Sequence, residues 1–336
     1  MTCLCVSEIL KFLGVINSKL CFEANCLANL ISFFERYDTN GFLSVKLFML
    51  LKTMVKLRQE DIKTKEILSW KGIHLFHFTF SACSMKTRIF MGLKNIAYTG
   101  HHINLQKKEN FSPYFQGITP RSLVPVLVDD GEVHIESNDI LDYLDNKFPN
   151  IRLIPSDKKQ EIDKMMIEEN DLHLDIRNIT FKFLVPKFLN NVKIQDKSQV
   201  KATLHGNKDS EDDANRKFWE NYKREGITDE VAIKSLLNLK LHLDEIDEKL
   251  SHHTYILGND LTLPDIAWFI YVSRLKAARY PIHILHPNVN DWHESLLKRE
   301  VFAKETKIPG IVKFISYIFY VIQKYSGWSI KRQLVG

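Results

Sequence analysis

Two side chains able to hold or supply a proton stand two positions apart in Ser81-Ala82-Cys83-Ser84, between the apolar run IHLFHFTF and the helix-forming run MKTRIFMGLKN. A thiol at a helix N-terminus faces unpaired backbone N–H groups and the positive end of the helix dipole, which favours the thiolate and should lower its pKa. Lys86 and Arg88 add positive charge one turn on. Lys86 also fills the place three residues after Cys83 where a second cysteine would stand. A self-contained dithiol switch is therefore ruled out, and thiol chemistry at Cys83 needs an external thiol. The bland alternative is a buried, inert cysteine beside an N-capping Ser81.

Two further groupings can bind rather than react. Val124-Pro125 is a candidate cis pair, since proline makes the cis form accessible. A cis turn offers the backbone N–H and C=O of Val124 to a peptide in the manner of an added strand; otherwise it is an ordinary turn before a strand. Glu136-Ser137-Asn138-Asp139 lies where a strand ends and a helix begins. With Ser137 as N-cap, the helix N-terminus suits a carboxylate and Glu136 suits an ammonium group. Capping serines are common, so alone this grouping is weak.

The elements that must position these groups are legible from the pattern. IHLFHFTF, bounded by Lys-Gly and a serine-rich turn, reads as a buried strand. Met85, Ile89 and Leu93, four apart, give one apolar stripe on a helix beginning near Ser84. YTGHHINL is a second extended run after a turn at Asn95. VPVLVDDGEVHIES holds two short strands joined by Asp-Asp-Gly, and SNDILDYLDNKF a helix. Strand, helix, strand, loop, hairpin, helix is the order of a thioredoxin-like domain. After Pro155 the strand signals stop. Residues 158 to about 190 and 213 to 225 are helix-compatible, separated by the polar stretch KSQVKATLHGNKDSEDDAN, which reads as a loop. A helix from Asp229 carries Leu236, Leu239, Leu243, Ile246 and Leu250 on one face. The fold class is α/β plus all-α, a thioredoxin-like domain followed by an all-helical one.

The 336 residues carry a net charge of +5, with Lys and Arg interleaved among Asp and Glu. No basic stripe with aromatics suggests nucleic-acid binding. Of five cysteines, four (Cys3, Cys5, Cys21, Cys26) crowd the N-terminus, which excludes a disulfide framework in the folded body. No convincing targeting signal opens the chain, so a reducing, cytosolic setting is the default.

Taken together, these stretches resemble the glutathione transferase superfamily. FTFSACSMKTR looks like the Ser/Cys catalytic turn of zeta-class transferases and, more closely, of tetrachlorohydroquinone reductive dehalogenases. LVPVLVDDGEVHIESNDILDYLDNKFP resembles the family's cis-proline strand, hairpin and Glu-Ser signature. LGNDLTLPDIAWFIYVSRL resembles its helical-domain motif, with Thr262 and Asp265 forming a capping box. The resemblance spans about residues 70 to 306 and implies a helical domain of transferase type. It implies glutathione as co-substrate, held by Val124, Pro125, Glu136 and Ser137, with Ser81 donating to the glutathione thiolate and Cys83 as the protein thiol. It further implies a small aromatic or unsaturated electrophile as substrate, no metal, and a cytoplasmic homodimer. Leu123 replaces a polar residue common before the Val-Pro pair, and Ala82 separates the two reactive residues. His173, Arg177 and Thr180 are candidates for the substrate side, against the simpler reading of ordinary helix surface.

The expected boundaries are 1–72 for an extension, 73–152 for the thioredoxin-like domain, 153–306 for the helical domain and 307–336 for a tail. Within the extension, Asp38, Asn40 and Gly41 suggest a calcium loop, but Leu47 stands where the closing acid belongs. The tail is apolar from Ile311 to Ile322 and carries Lys313, Lys324, Lys331 and Arg332. That pattern suits an interfacial membrane helix or a helix packed on the bundle.

Overall fold

The computed structural model describes residues 57–185, 209–307, 310–325 and 329–335. The chain divides into two units, Met1–Thr53 and Met54–Gly336, and the described residues all belong to the second. The calcium-loop residues and the four N-terminal cysteines lie outside the described residues.

Strand β1 (Ile73–His77) is central. It runs parallel to β2 (Thr99–His102) and antiparallel to β3 (Val126–Asp129), which pairs antiparallel with β4 (Glu132–His134). The order β2-β1-β3-β4 is that of a thioredoxin-like sheet. Because strand side chains alternate between faces, β1 serves two cores. Leu75 packs with Ile89, Leu127 and Leu141, whereas Phe76 packs with Phe115, Val126, Val128 and Val133. The Asp-Asp-Gly hairpin has Asp130 at φ 48° and Gly131 at φ 83°, the two left-handed residues that a tight two-residue hairpin requires.

Helices α1 (Ala82–Leu93) and α3 (Ser137–Lys147) cover the first face. Helix α2 (Pro113–Ile118), capped by Ser112, covers the second. Residues 57–72, expected to precede the folded domain, are instead part of it. Leu57, Ile62 and Ile67 are buried in the second core, and Leu57 N donates to Val133 O at 3.0 Å. A Cβ on Gly131 would stand 2.2 Å from Leu68 O. The apolar face of α2 and the outer side of the sheet need a cover, and this segment supplies it.

The helical part comprises α4 (Lys159–Asp171), α5 (His173–Ile179), α6 (Asp209–Arg224), α7 (Asp229–Leu250), α8 (Leu263–Ala277), α9 (Ile282–Leu285), α10 (Pro287–Leu297) and α11 (Glu300–Glu305). A single π-helical turn (Thr180–Leu184) follows α5. The five apolar residues read from the sequence of α7 are all buried, each worth about 2 kcal/mol of burial before entropy is counted. The end of the polar stretch expected as a loop is helical from Asp209. Its Asp and Glu residues fall in the opening turns of α6, where the helix dipole favours acids; residues 197–208 lie outside the described set. Helix α8 is buried on nearly every side and is the axis of this domain. Asp265 in its first turn accepts from Ile256 N (3.0 Å), Thr262 N (2.9 Å), Thr262 Oγ1 (3.0 Å) and Trp292 Nε1 (3.0 Å). The tail forms α12 (Gly310–Tyr325) and α13 (Ile330–Val335).

Candidate active site

Helix α1 starts at Ala82, two residues earlier than the apolar stripe suggests, because Ser81 caps it. Ser81 Oγ accepts from Ser84 N at 3.3 Å. That bond uses one lone pair and leaves the hydroxyl proton to be donated elsewhere. Cys83 therefore lies in the first helical turn. It is a free thiol, part-buried rather than sealed in the core.

The expected thiolate stabilisation is overturned. Burial pushes the Cys83 thiol above its ordinary value of 9.0; Glu169 and Glu136 push the same way, while Lys86 and the Ser137 hydroxyl oppose. Desolvation of the charged form is the largest of these effects. The assumed role of Arg88 is also wrong. Its guanidinium faces away toward Glu305 Oε2 (2.8 Å from Nε), Phe78 O (3.2 Å) and Thr79 O (3.0 Å). Within α1 it is Lys86 whose charge acts on the thiol, and it is itself held by Asn138 Oδ1 (2.7 Å) and Glu169 Oε2 (3.0 Å).

The Val124-Pro125 bond is cis. The pairing of Phe76 with Val126 places both residues at the C-terminal end of β1, the end from which the Ser81 turn departs. Leu123 is exposed. At the third grouping, Glu136 and not Ser137 occupies the N-cap position of α3, with φ 66° and no side-chain cap. The hydroxyl of Ser137 is thereby not spent on capping and lies near enough to Cys83 to oppose the effect of burial on its thiol. The Glu136 carboxylate is engaged by Arg121 in an ion pair, so it is not a lone acid waiting for an ammonium group. Ser81, Cys83, Glu136 and Ser137 thus gather around one turn, and Val124 and Pro125 share the same sheet end.

Five residues of the helical domain complete this wall. Tyr271 donates to Glu169 O at 2.9 Å and lies 3.4 Å from His173 Nδ1. Burial, then Arg177, Lys86 and Arg274, lower His173 to about 3, so the imidazole is neutral. Arg177 and Arg274 both interact electrostatically with Cys83, and the Arg177 guanidinium lies 5.2 Å over the Phe218 ring. The sequence pointed to His173, Arg177 and Thr180; it missed Glu169, Tyr271 and Arg274, which come from helix faces that spacing alone assigns to the core. A cavity of about 440 Å³ is lined by Leu93, Ile151, Pro155, Lys158, Asp260 and Arg299 and by no cysteine, serine or histidine. It sits at the opposite end of α1, about 15 Å from Cys83 at 1.5 Å per residue, and is not the reactive site. Among the described residues no group of three or more His, Cys, Asp or Glu is placed to hold a metal.

Comparison with known proteins agrees with this fold. Residues 75–152 match the glutathione S-transferase N-terminal domain and residues 235–295 its C-terminal domain. The chain thus carries segments that match both domains of the glutathione S-transferase family, in that order. A zeta-class glutathione S-transferase of Euphorbia esula is 39% identical over 85 residues, which cover 25% of this chain and 38% of that protein. The chain thus spans well under half of this zeta-class relative's length. Glutathione S-transferase TCHQD of Arabidopsis thaliana is 24% identical over 213 residues, covering 61% of this chain and 77% of that one. The solved beta-etherase LigF of Sphingobium superposes with a TM-score of 0.57 at 21% identity, over 69% of this chain and 98% of its own. This last match shows the shared fold alone and carries no activity to the chain.

Proposed function

We propose that the protein is a glutathione-dependent transferase acting on a small electrophile. The observation that carries this reading is the convergence of the Ser81 hydroxyl, the Cys83 thiol and the Ser137 hydroxyl on the first turn of α1. The Ser81 proton, left free by the capping bond, donates to the glutathione sulfur and favours its thiolate. Val124 presents its backbone at the sheet end, and Glu136 with Ser137 receives the γ-glutamyl end, the acid oriented by Arg121. The thiolate attacks an electrophilic carbon of an aromatic or unsaturated substrate. With a halide the bond to the leaving group breaks; with an activated double bond, addition, rotation and elimination return glutathione.

A Cys83 thiol held above its ordinary value is a poor first nucleophile at neutral pH. It serves instead to resolve a glutathionyl adduct: its sulfur attacks the adduct's sulfur, the carbon leaves with the C–S electron pair and takes a proton, and a second glutathione frees Cys83 from the mixed disulfide and leaves as glutathione disulfide. Arg177 and Arg274 set a positive potential on the helical side, which favours an electrophile bearing an acidic group. Named relatives include a maleylacetoacetate isomerase of mouse, 35% identical over 97 residues, in keeping with that choice. The test is retention on immobilised glutathione, then turnover of paired electrophiles with and without a carboxylate, by the unmodified protein, S81A and C83S. S81A should lose conjugation by about 10²-fold, whereas C83S should lose only thiol exchange and dehalogenation. Unchanged exchange in C83S, or equal rates for both electrophiles, refutes the corresponding assignment. We carry the homodimer and a cytoplasmic setting forward as parts of the same proposal.

One observation favours a second feature, peripheral contact with a membrane. Phe314, Tyr317 and Ile318 are exposed together on α12, and residues 306–336 hold five Lys or Arg and no Asp or Glu. Among the described residues no helix is long and apolar enough to cross a membrane; the contact proposed for α12 is interfacial. Sedimentation with anionic vesicles, lost on truncation after residue 307, supports it; equal sedimentation of both forms removes it.

A further inference from the structure

Three successive backbone carbonyls lead into Ser81, and each is taken by a guanidinium. Arg88 donates to Phe78 O (3.2 Å) and Thr79 O (3.0 Å), and Arg274 donates to Phe80 O (2.7 Å). Both arginines are tied to the helical domain. Arg88 is clamped by Glu305 of α11 at 2.8 Å. Arg274 belongs to α8 and also donates to Thr180 Oγ1 (3.1 Å), whose own proton goes to Ile176 O (2.7 Å). His77 Nδ1 closes the set 3.2 Å from Arg88, as a neutral imidazole lowered to about 4 by burial and by that guanidinium. Phe80 is itself exposed, so water would satisfy its carbonyl at little cost. A part-buried guanidinium reaching across 194 positions of sequence does something water does not: it fixes where the carbonyl points.

We propose that Arg274 is a positioning residue, which with the Arg88–Glu305 pair holds the Phe78–Ser81 turn so that the helical domain sets the aim of the Ser81 hydroxyl. This rests on the role proposed above for Ser81. Neither Arg274 contact is to an acid, so its directed hydrogen bonds, and not an ion pair, carry the effect. The planar fork reaches two acceptors at once, which a lysine ammonium does less well.

The experiment compares full-length R274M and R274K with the unmodified protein by three readouts. Ultraviolet absorbance of the bound glutathione thiolate against pH reports the donor's aim. In R274M its midpoint rises by about 0.5 to 1 pH unit, because a weaker hydrogen bond to the charged form disfavours it. With an electrophile the unmodified protein turns over, kcat falls about tenfold while KM for glutathione moves less than about threefold, since misplacement of the donor affects the transition state more than binding. The rate of Cys83 carbamidomethylation, followed on its own peptide by mass spectrometry, changes severalfold. R274K recovers part of each. A folded R274M with the unmodified midpoint, kcat and alkylation rate overturns the proposal, as does R274K no better than R274M. If the unmodified protein neither binds nor turns over glutathione, the proposed function fails, and the alkylation rate alone then decides whether Arg274 positions the turn. If R274M does not fold, the same readouts on R274K decide, unchanged values again overturning the proposal.

Discussion

Lys86 Nζ lies 3.0 Å from Glu169 Oε2, joining α1 of the thioredoxin-like domain to α4 of the helical domain, with side-chain exposures of only 3% and 5%. Asn138 takes a second proton of the ammonium group. Removing one partner strands a charge in a place water does not reach. K86M should cost about 3–5 kcal/mol in urea unfolding, and K86M/E169L should regain most of it. A single-variant cost below about 1 kcal/mol would show that the pair is solvated in solution.

Cys83 should alkylate as an ordinary or sluggish thiol. Burial raises it above 9.0, so the thiolate fraction, and with it the rate, should climb about tenfold per pH unit from pH 7 to 9. The measurement is iodoacetamide labelling of the Cys83 peptide. A plateau already reached by pH 7.5 contradicts the burial argument and restores the helix-dipole expectation.

His293 should make the protein acid-sensitive. The ring is buried, stacks on Phe269 at 4.7 Å and lies 2.8 Å from Ser273 Oγ. Burial, then Lys276, lower it from 6.5 to about 4. The unfolded chain takes up this proton as pH falls through 6.5 and the folded one only near 4, so stability present above 6.5 is lost between these values. One such proton corresponds to a slope of about 1.4 kcal/mol per pH unit. Other lowered histidines add to the total, and H293F should reduce the slope by about one proton's worth. Equal slopes in chemical denaturation from pH 7 to 4.5 would exclude His293 as a contributor.

Asp265, the single acid of α8, should be costly to remove. D265A leaves Ile256 N, Thr262 N and Trp292 Nε1 without their acceptor in a buried site, a loss of at least about 3 kcal/mol. T262V, which removes only one hydroxyl bond, should cost about 1 kcal/mol. Comparable midpoints for the two variants would mean that the carboxylate is not the hub of this corner.

Much of the fold was written locally. Strand alternation in IHLFHFTF, the two left-handed positions of Asp-Asp-Gly, and the three-and-four spacing from Leu236 to Leu250 are properties of short segments, so each was readable without its neighbours. The Ser81 cap, the Val124-Pro125 pair and the Thr262-Asp265 box are local as well, and each stands where the motif put it. By contrast, the segment 57–72 shows no strong pattern of its own. Its three buried side chains gain meaning only once the sheet face and α2 exist to receive them.

Sequence alone determined which residues were chemically able to form a reactive turn, and which secondary elements would carry them. The electrostatic state of that turn was decided only by tertiary structure. Cys83 occupies the helix end that its sequence position demanded, yet burial raises the thiol because desolvation and distant acids act through space. Lys86 meets Glu169 from 83 positions away, and Arg274 meets Phe80 from 194. Such partners are set by how helices pack, and the energy of a buried charge depends on that surrounding, which no local spacing encodes.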